Sequence, residues 1–222
     1  MAKIVAQQQK IVGKSTINKQ APRRMQFSIL KPNIVVTNNV KFLLPSKGVL
    51  PGYLLAVLNS GLAEWRVSKY ATTNRLTNYE VENLPVPRLK KADQKLFDYL
   101  ATLLLSIKDS STKNPRMLTM FQSIDRILDA CVYEAYFDLQ AGVAKLLYQM
   151  LHENILSDSR RMSAVMVLQS IDRIRQSAQL EKKVKSVYEH RWVKCITDVL
   201  RNRSERLQAP GLPSADDDDQ PE

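Results

Sequence analysis

The sequence predicts an α+β fold, in which a small mixed α/β domain is followed by an all-α helical region. Short clusters of β-branched and aromatic residues, close to strand length, occupy the stretch before Pro45. Pro85 and Pro87 then mark a boundary, because proline lacks a backbone donor and restricts the residue before it. Beyond Pro87 the apolar residues recur at helical spacing as far as about residue 201. These observations divide the chain into a basic domain over 1–88 and a helical region over 89–206.

Strands are predicted at Ile34–Val36 and at Val40–Leu44, which are β-branched or rich in apolar residues. The intervening Thr37–Asn39 has the composition of a turn. Two earlier segments, Gln7–Lys14 and Gln20–Gln26, fit equally well the polar edges of strands or loops.

A helix is expected to begin at Pro51, since the fixed φ of proline suits the first turn of a helix. Four apolar residues at spacings of three or four would form its single buried face: Leu54, Leu58, Leu62 and Trp65. Ala71–Thr77 is polar, and Tyr79, Val81 and Leu84 follow in an alternating pattern.

The helical region is predicted to begin with an N-cap at Asp93. Further helices are expected through Met120–Ala135, over Ala141–Leu151 and after Ser157–Ser159. Met162–Arg201 contains neither Pro nor Gly, which favours one long helix or two consecutive ones. The tail, 207–222, is rich in Pro, Ser and Asp and is expected to be disordered and acidic.

One hexapeptide recurs along the helical region. Residues 122–127 and residues 169–174 both read Gln-Ser-Ile-Asp-Arg-Ile. Two copies are fewer than a helical array needs, and the flanking residues differ. We interpret them as two similar amphipathic turns, with a duplicated helical hairpin as the less favoured alternative.

The net charge of +11 is confined to the N-terminal part of the chain. The first 90 residues carry 14 lysines and arginines against only three acidic residues, and the remainder is balanced. Such asymmetry indicates a polyanionic partner, because a protein that neutralises phosphates releases condensed counterions. A basic domain that merely improves solubility remains an alternative. An anionic membrane surface is less favoured, since no basic amphipathic helix is evident.

The chain shows no signal for export or for membrane insertion. Its longest apolar stretches, near Leu50–Leu58 and Tyr99–Leu105, are too short to span a bilayer, and Met1–Ser15 lacks the apolar core of a secretory signal. Cys131 and Cys195 are far apart and suit neither a disulfide framework nor a zinc site. We expect a cytoplasmic protein with no cofactor and no metal.

Four short motifs resemble one family of proteins. Tyr53–Ser60 (YLLAVLNS) is similar to the YLLALLNS helix in the target-recognition regions of TaqI-like and type IIG adenine-specific DNA methyltransferases and restriction enzymes. Lys31–Val36 resembles the KPKIVV strand that precedes that helix, and Leu84–Pro87 resembles the LPIP that ends the module. Ile124–Tyr136 is similar to the IDxxVYELY element near the C-termini of those enzymes. The resemblance covers roughly residues 3–138.

The resemblance implies a DNA-binding target-recognition piece rather than a complete enzyme. The catalytic Asn/Asp-Pro-Pro-aromatic motif and the Gly-rich cofactor loop of those methyltransferases are both missing from the sequence. We therefore expect a non-catalytic specificity module of a restriction–modification or related phage-defence system. It would be a separate subunit, half of a split enzyme or a cut-out domain. Its expected partners are double-stranded DNA and a methyltransferase or nuclease chain, without a membrane.

Two basic clusters are the candidate DNA contacts. In such clusters Lys and Arg can hold phosphates while Asn and Gln reach base edges, and tyrosines can stack on bases. Packing of the tyrosines at a domain edge is an equally good interpretation. The first cluster contains Lys14, Lys19, Arg23 and Arg24, and the second contains Arg66, Lys69, Tyr70, Asn74, Arg75 and Tyr79.

Catalytic alternatives are weaker. Asp172, Glu181 and Lys183 loosely resemble the carboxylate-carboxylate-lysine pattern of restriction nucleases, but that pattern normally lies on adjacent strands rather than in a helical stretch. His152 and His190 lack a nucleophile or metal ligands at useful spacing. Two alternatives to the specificity module therefore stay open. One is a protein-interaction subunit of a defence complex, and the other is a fragment of a restriction endonuclease–methyltransferase.

Overall fold

The computed structural model describes residues 8–16, 23–36, 40–70, 75–111, 114–156 and 164–208. A small three-stranded antiparallel sheet precedes a larger assembly of helices, which confirms the α+β class. None of the helices within these ranges is long and apolar enough to cross a membrane. The acidic tail from residue 209 onward lies outside the described residues.

The sheet consists of β1 (Lys10–Lys14), β2 (Phe27–Leu30) and β3 (Val40–Leu43), with β1 in the centre. Ile11 pairs with Ile29 on one side and with Leu43 on the other, so these side chains share one face. Gly13 is paired with Phe27, and a Cβ at Gly13 would lie 2.7 Å from the Phe27 ring. Glycine at this position therefore lets the ring lie across the central strand.

The prediction of a strand at Ile34–Val36 is wrong. This segment has no strand partner in the described part of the chain, and Val35 is 83% exposed. A turn at Pro32 and Asn33, with Asn33 at a left-handed φ of 67°, redirects the chain just before it. The buried Lys10 holds the segment instead, since its Nζ donates to the carbonyl oxygen of Ile34 at 3.1 Å. The expected turn at Thr37–Asn39 lies outside the described residues.

Pro51 does begin a helix, but the expected continuous helix is two. These are α1 (Pro51–Leu58) and α2 (Gly61–Tyr70). The break follows from Asn59, whose side chain pairs with the backbone of β2. Its Oδ1 accepts from Phe27 N at 2.8 Å, and its Nδ2 donates to Phe27 O at 3.0 Å. Asn59 thus joins the sheet to the helices.

A short helix, α3 (Asn78–Glu82), forms where the apolar residues around Tyr79 alternate in the sequence. It is started by a capping box, in which the Thr77 hydroxyl accepts from Glu80 N while the Glu80 carboxylate accepts from Thr77 N. This local signal is present in the sequence as Thr-x-x-Glu.

The longest helices are α4 (Lys91–Ser111) and α5 (Pro115–Phe137). The prediction of an N-cap at Asp93 is wrong, because α4 begins two residues earlier and Asp93 lies within the first turn of this helix. Gln94 fixes this start by accepting from Leu50 N at 2.8 Å and donating to Leu89 O at 2.9 Å. Asn114 caps α5 by accepting from Arg116 N at 2.9 Å.

Four further helices complete the chain. They are α6 (Val143–Leu151), which continues into a π-helical turn at His152–Leu156, and then α7 (Ala164–Arg175), α8 (Ala178–Glu189) and α9 (Arg191–Gln208). Met162–Arg201 therefore contributes to three helices rather than one or two. Ser177, whose hydroxyl accepts from Leu180 N, caps α8 and separates it from α7.

One hydrophobic core runs through the molecule, from Ile11 in the sheet to Ile196 in α9. Helix α1 packs against α4 across residue 88, so the core is continuous at the boundary that the prolines suggested. The repeated hexapeptide contributes to this core twice. Ile124 and Ile127 of α5 line the same small cavity as Ile171 and Ile174 of α7, as expected of two amphipathic turns.

Candidate nucleic-acid interface

One end of the sheet carries two of the N-terminal lysines. Lys14 ends β1 and is exposed, and the register pairs Lys14 with Val40 and Gly13 with Lys41. Lys14 and Lys41 therefore lie at the same end of neighbouring strands. Paired residues share a face and successive residues alternate, so the two side chains leave opposite faces of the sheet at this end.

The chain after α2 returns to this end of the sheet. Leu76 N donates to Ser15 O at 2.8 Å, and Arg75 forms an isolated antiparallel bridge with Thr16. Lys41 Nζ donates to Asn78 Oδ1 at 2.8 Å, which attaches β3 to the start of α3. Arg75, which is exposed, is thereby placed beside the two lysines.

A groove between α2 and α3 adjoins this end of the sheet. It is an open depression of about 490 Å³ that is lined by Arg66 and Tyr79 and also by the acidic Glu80. Tyr79 is 76% exposed, and Lys69 is exposed three residues after Arg66 on α2. We call this end of the sheet, together with the adjoining groove, the basic edge, and its members are Lys14, Lys41, Arg66, Lys69, Arg75 and Tyr79.

Five residues of the sequence-predicted clusters therefore lie on the basic edge: Lys14, Arg66, Lys69, Arg75 and Tyr79. Lys19, Asn74 and the side chain of Tyr70 lie outside the described residues. Lys41 was missed, because only the β1–β3 register brings it to the same end of the sheet as Lys14.

Arg23 is partly buried, with 34% of its side chain exposed, and its guanidinium faces two carboxylates. Its guanidinium contacts Asp125 Oδ2 at 3.0 Å and Asp129 Oδ2 at 3.2 Å, both on α5. The composition of this segment predicted a loop-like stretch that offers its charges to phosphates. The structure instead gives Arg23 internal carboxylate partners, which neutralise its charge.

Arg24 is buried, with a side chain only 6% exposed. Its Nε contacts Glu64 Oε1 at 3.2 Å, and the backbone N–H groups of Arg24 and Met25 donate to Glu64 Oε2 at 2.8 and 2.9 Å. Arg203 of α9 adds a contact to Glu64 Oε1 at 2.6 Å. Glu64 thus joins the segment before β2, the helix α2 and the helix α9. We call these residues, with Arg23, Asp125 and Asp129, the buried ion network.

Asp129 is the member of this network with the most perturbed titration. Burial raises the pKa of Asp129 to about 7, against the attraction of Arg23, and Asp125 nearby adds to the rise. Its carboxylate also accepts from Gly61 N at 3.1 Å, which attaches α5 to the start of α2. The spacing of Asp125, Asp129 and Tyr133 by four residues was the signal in the sequence that they share one helix face.

The raised pKa of Asp129 predicts a pH-dependent stability. The folded protein binds this proton more tightly than the unfolded chain, in which an Asp has a pKa of about 3.9. The stability that Asp129 contributes through this proton is therefore fully present below about pH 4, and it is lost as the pH rises through 7. We expect the free energy of unfolding of Asp129→Asn to lack this decline. Urea titrations between pH 5 and 8 measure it, with the exposed Asp93→Asn as control. Equal slopes in Asp129→Asn and the wild type would contradict the assignment.

The nuclease-like residues of the helical region contact separate partners. Asp172 pairs with Arg116 and Arg175, and Glu181 pairs with Arg126. Lys183 Nζ donates to the carbonyl oxygen of Ala141 at 2.6 Å. Over the ranges that the structure covers, no three His, Cys, Asp or Glu side chains are grouped closely enough to hold a metal ion.

Comparison with known proteins identifies no similar protein. No protein-family model matches the chain, and neither a curated protein nor a solved structure is found to be similar to it. We therefore infer function from the residues of the chain itself.

Proposed function

We propose that the chain is a non-catalytic, DNA-binding specificity module of a restriction–modification or related phage-defence system. It would place a methyltransferase or nuclease partner on its DNA site. The observation that carries this proposal is the basic edge. Five cations from β1, β3, α2 and the segment before α3 lie at one end of the sheet and along the adjoining groove, although they are far apart in the sequence.

The basic edge has the composition that DNA contact requires. Lysine and arginine hold phosphates and so set the position of the protein on the duplex, whereas amide and hydroxyl groups read base edges. Thr77 and Asn83 line the groove with Arg66 and Tyr79, and the side chain of Asn83 is exposed. The edge therefore supplies both kinds of group within one groove.

The internal contacts of the resembling motifs support the finer assignment to a specificity module. The Tyr53 hydroxyl, in the motif of α1, donates to the carbonyl oxygen of Pro87, in the Leu-Pro-Val-Pro motif, at 2.6 Å. Asp129, in the motif of α5, accepts from Gly61 N immediately after the α1 motif. The α1 motif thus contacts the Leu-Pro-Val-Pro motif, and the residue that follows the α1 motif contacts the α5 motif 68 residues later, as expected of parts of one module.

Salt dependence of DNA binding tests the proposal. If each of the five cations of the basic edge neutralises one phosphate, log K should fall with log salt at a slope of about −4.5. The affinity for a labelled duplex would then drop roughly 500-fold between 50 and 200 mM KCl. Fluorescence polarisation measures this for the chain alone and with its partner chain. The absence of binding in dilute salt, with the partner present, would refute the proposal.

An apolar surface supports a second candidate, a protein-interaction subunit of a defence complex. Phe42 of β3 is half exposed, and Ile34, Val35 and Leu44 nearby in sequence are exposed as well. Exposed apolar groups of this size are typical of protein interfaces when they form a continuous patch. Phe42→Ser should then weaken binding of a partner protein while duplex binding stays unchanged, whereas variants of the basic edge should do the reverse.

A further inference from the structure

A second cavity, lined by aromatic side chains, lies next to the basic edge. It has a volume of about 280 Å³ and is enclosed by α2, the C-terminal end of α5 and the first turns of α9. Its lining is mainly apolar, and four of the lining residues are aromatic: Trp65, Tyr136, Phe137 and Trp192. Both tryptophans of the chain are among them. We call this cavity the aromatic pocket.

Arg66 connects the aromatic pocket with the basic edge. It lines this pocket and also the groove that contains Tyr79. The charge of Arg66 acts on a residue that lines the pocket. Burial raises the pKa of Tyr136 to about 12, and the positive charge of Arg66 opposes that rise. A strand held on the basic edge would therefore pass Arg66 at the mouth of the pocket.

The exposed tryptophan offers a surface that an occupant would use. Trp192 is 52% exposed, with the guanidinium of Arg191 4.7 Å from its ring centroid. The indole Nε1 of Trp65 is, in contrast, fully buried and has no hydrogen-bond acceptor among the described residues. The large, half-exposed ring of Trp192 fits a flat occupant that stacks on it.

We propose that the aromatic pocket receives one unpaired base of a nucleic-acid strand whose phosphates lie on the basic edge. The inference rests on the proposed function for the position of those phosphates. Bases of any sequence stack on aromatic rings, because every base has a flat π-face. The positive charge of Arg66 also favours the polyanion over an apolar peptide.

Intrinsic tryptophan fluorescence tests the pocket directly, because its only sources line it. The full chain is titrated with three short DNA duplexes of the same sequence. One is fully paired, one has a single extra base on one strand, and one has an abasic residue at that bulge. We expect the base bulge to quench the emission and to bind about tenfold more tightly than the paired duplex. The abasic bulge should do neither.

Trp192→Ala removes the stacking surface at an exposed position, so the chain should still fold. It is expected to abolish the tenfold preference for the base bulge and to leave the affinity for the paired duplex unchanged. Trp192→Phe keeps a flat ring and should retain most of the preference. Tyr148→Ala is the matched control, since Tyr148 is an aromatic residue of similar exposure on α6.

The outcomes separate the two proposals. Equal affinity for the paired and bulged duplexes, with no change in emission, would overturn the pocket and leave the basic edge in place. No binding of any duplex would overturn both. A third outcome is that an apolar dye binds in a way that depends on Trp192 and is not displaced by a saturating bulged duplex. This result would assign the pocket to an apolar protein segment, and it too would overturn the proposal.

Discussion

Reversing three charges of the basic edge is expected to weaken DNA binding at least about 100-fold at low salt. The variant replaces Lys14, Lys41 and Arg75 with Glu, which removes three phosphate contacts and adds repulsion. These side chains lie at one end of the sheet and the adjoining bridge, so the variant should remain folded. Polarisation titration of a labelled duplex measures the loss.

A matched variant controls for net charge alone. Lys145, Lys182 and Lys194 are exposed on α6, α8 and α9, and their replacement by Glu changes the net charge by the same amount. We expect this control to lose little affinity, since screening limits the reach of surface charge to about 10 Å at ordinary ionic strength. Equal losses in both variants would mean that the net charge, and not the basic edge, attracts DNA.

Replacement of Glu64 by Ala is expected to cost about 3–5 kcal/mol of folding stability. Glu64 is 2% exposed and accepts from two backbone N–H groups and two arginines, so its loss leaves buried donors without an acceptor. The midpoint of thermal unfolding should fall by roughly 10 °C for a chain of this size. Urea denaturation followed by circular dichroism measures the free energy.

Glu189→Ala serves as the control for Glu64. Glu189 is exposed and paired with Lys185 at 3.7 Å, so its loss should cost less than about 1 kcal/mol. A Glu64→Ala variant as stable as Glu189→Ala would contradict the role of the buried ion network. Because α2 carries both Glu64 and the Arg66 and Lys69 of the basic edge, the destabilised variant should also bind DNA more weakly.

Signals that act within a few residues predicted structure well. Pro51 begins α1, and the Pro-marked change to helical spacing gave the α+β class that the structure confirms. The capping box of α3 was equally local, although the alternating apolar residues around it concealed it. Such features depend on the backbone of one turn, which adjacent side chains determine.

Structural features that depend on residues distant in the sequence could not be predicted. Asn59 interrupts the α1–α2 pattern because it pairs with the backbone of Phe27, 32 residues earlier. Arg23 pairs with Asp125, 102 residues later, and the buried Arg24 pairs with Glu64, 40 residues later. The composition of a basic loop therefore cannot distinguish arginines that face phosphates from arginines that hold the fold together.

The same limit applies to the candidate site. The cluster from Arg66 to Tyr79 could be recognised because α2, α3 and their connection are consecutive in the chain. Lys41 and the aromatic pocket could not, because strand pairing brings Lys41 to the edge and α9 brings Trp192 to Trp65 from more than 120 residues away. Tertiary packing, rather than local pattern, completes both surfaces.

Lysine footprinting of the wild-type chain tests most directly whether the basic edge is the DNA-binding surface. Amine acetylation is quantified by mass spectrometry with and without a saturating duplex in dilute salt. The structure predicts protection of Lys14, Lys41 and Lys69, while Lys145, Lys182 and Lys194 react as in the free protein. Protection of the helical lysines with Lys14, Lys41 and Lys69 still reactive would contradict the proposed interface.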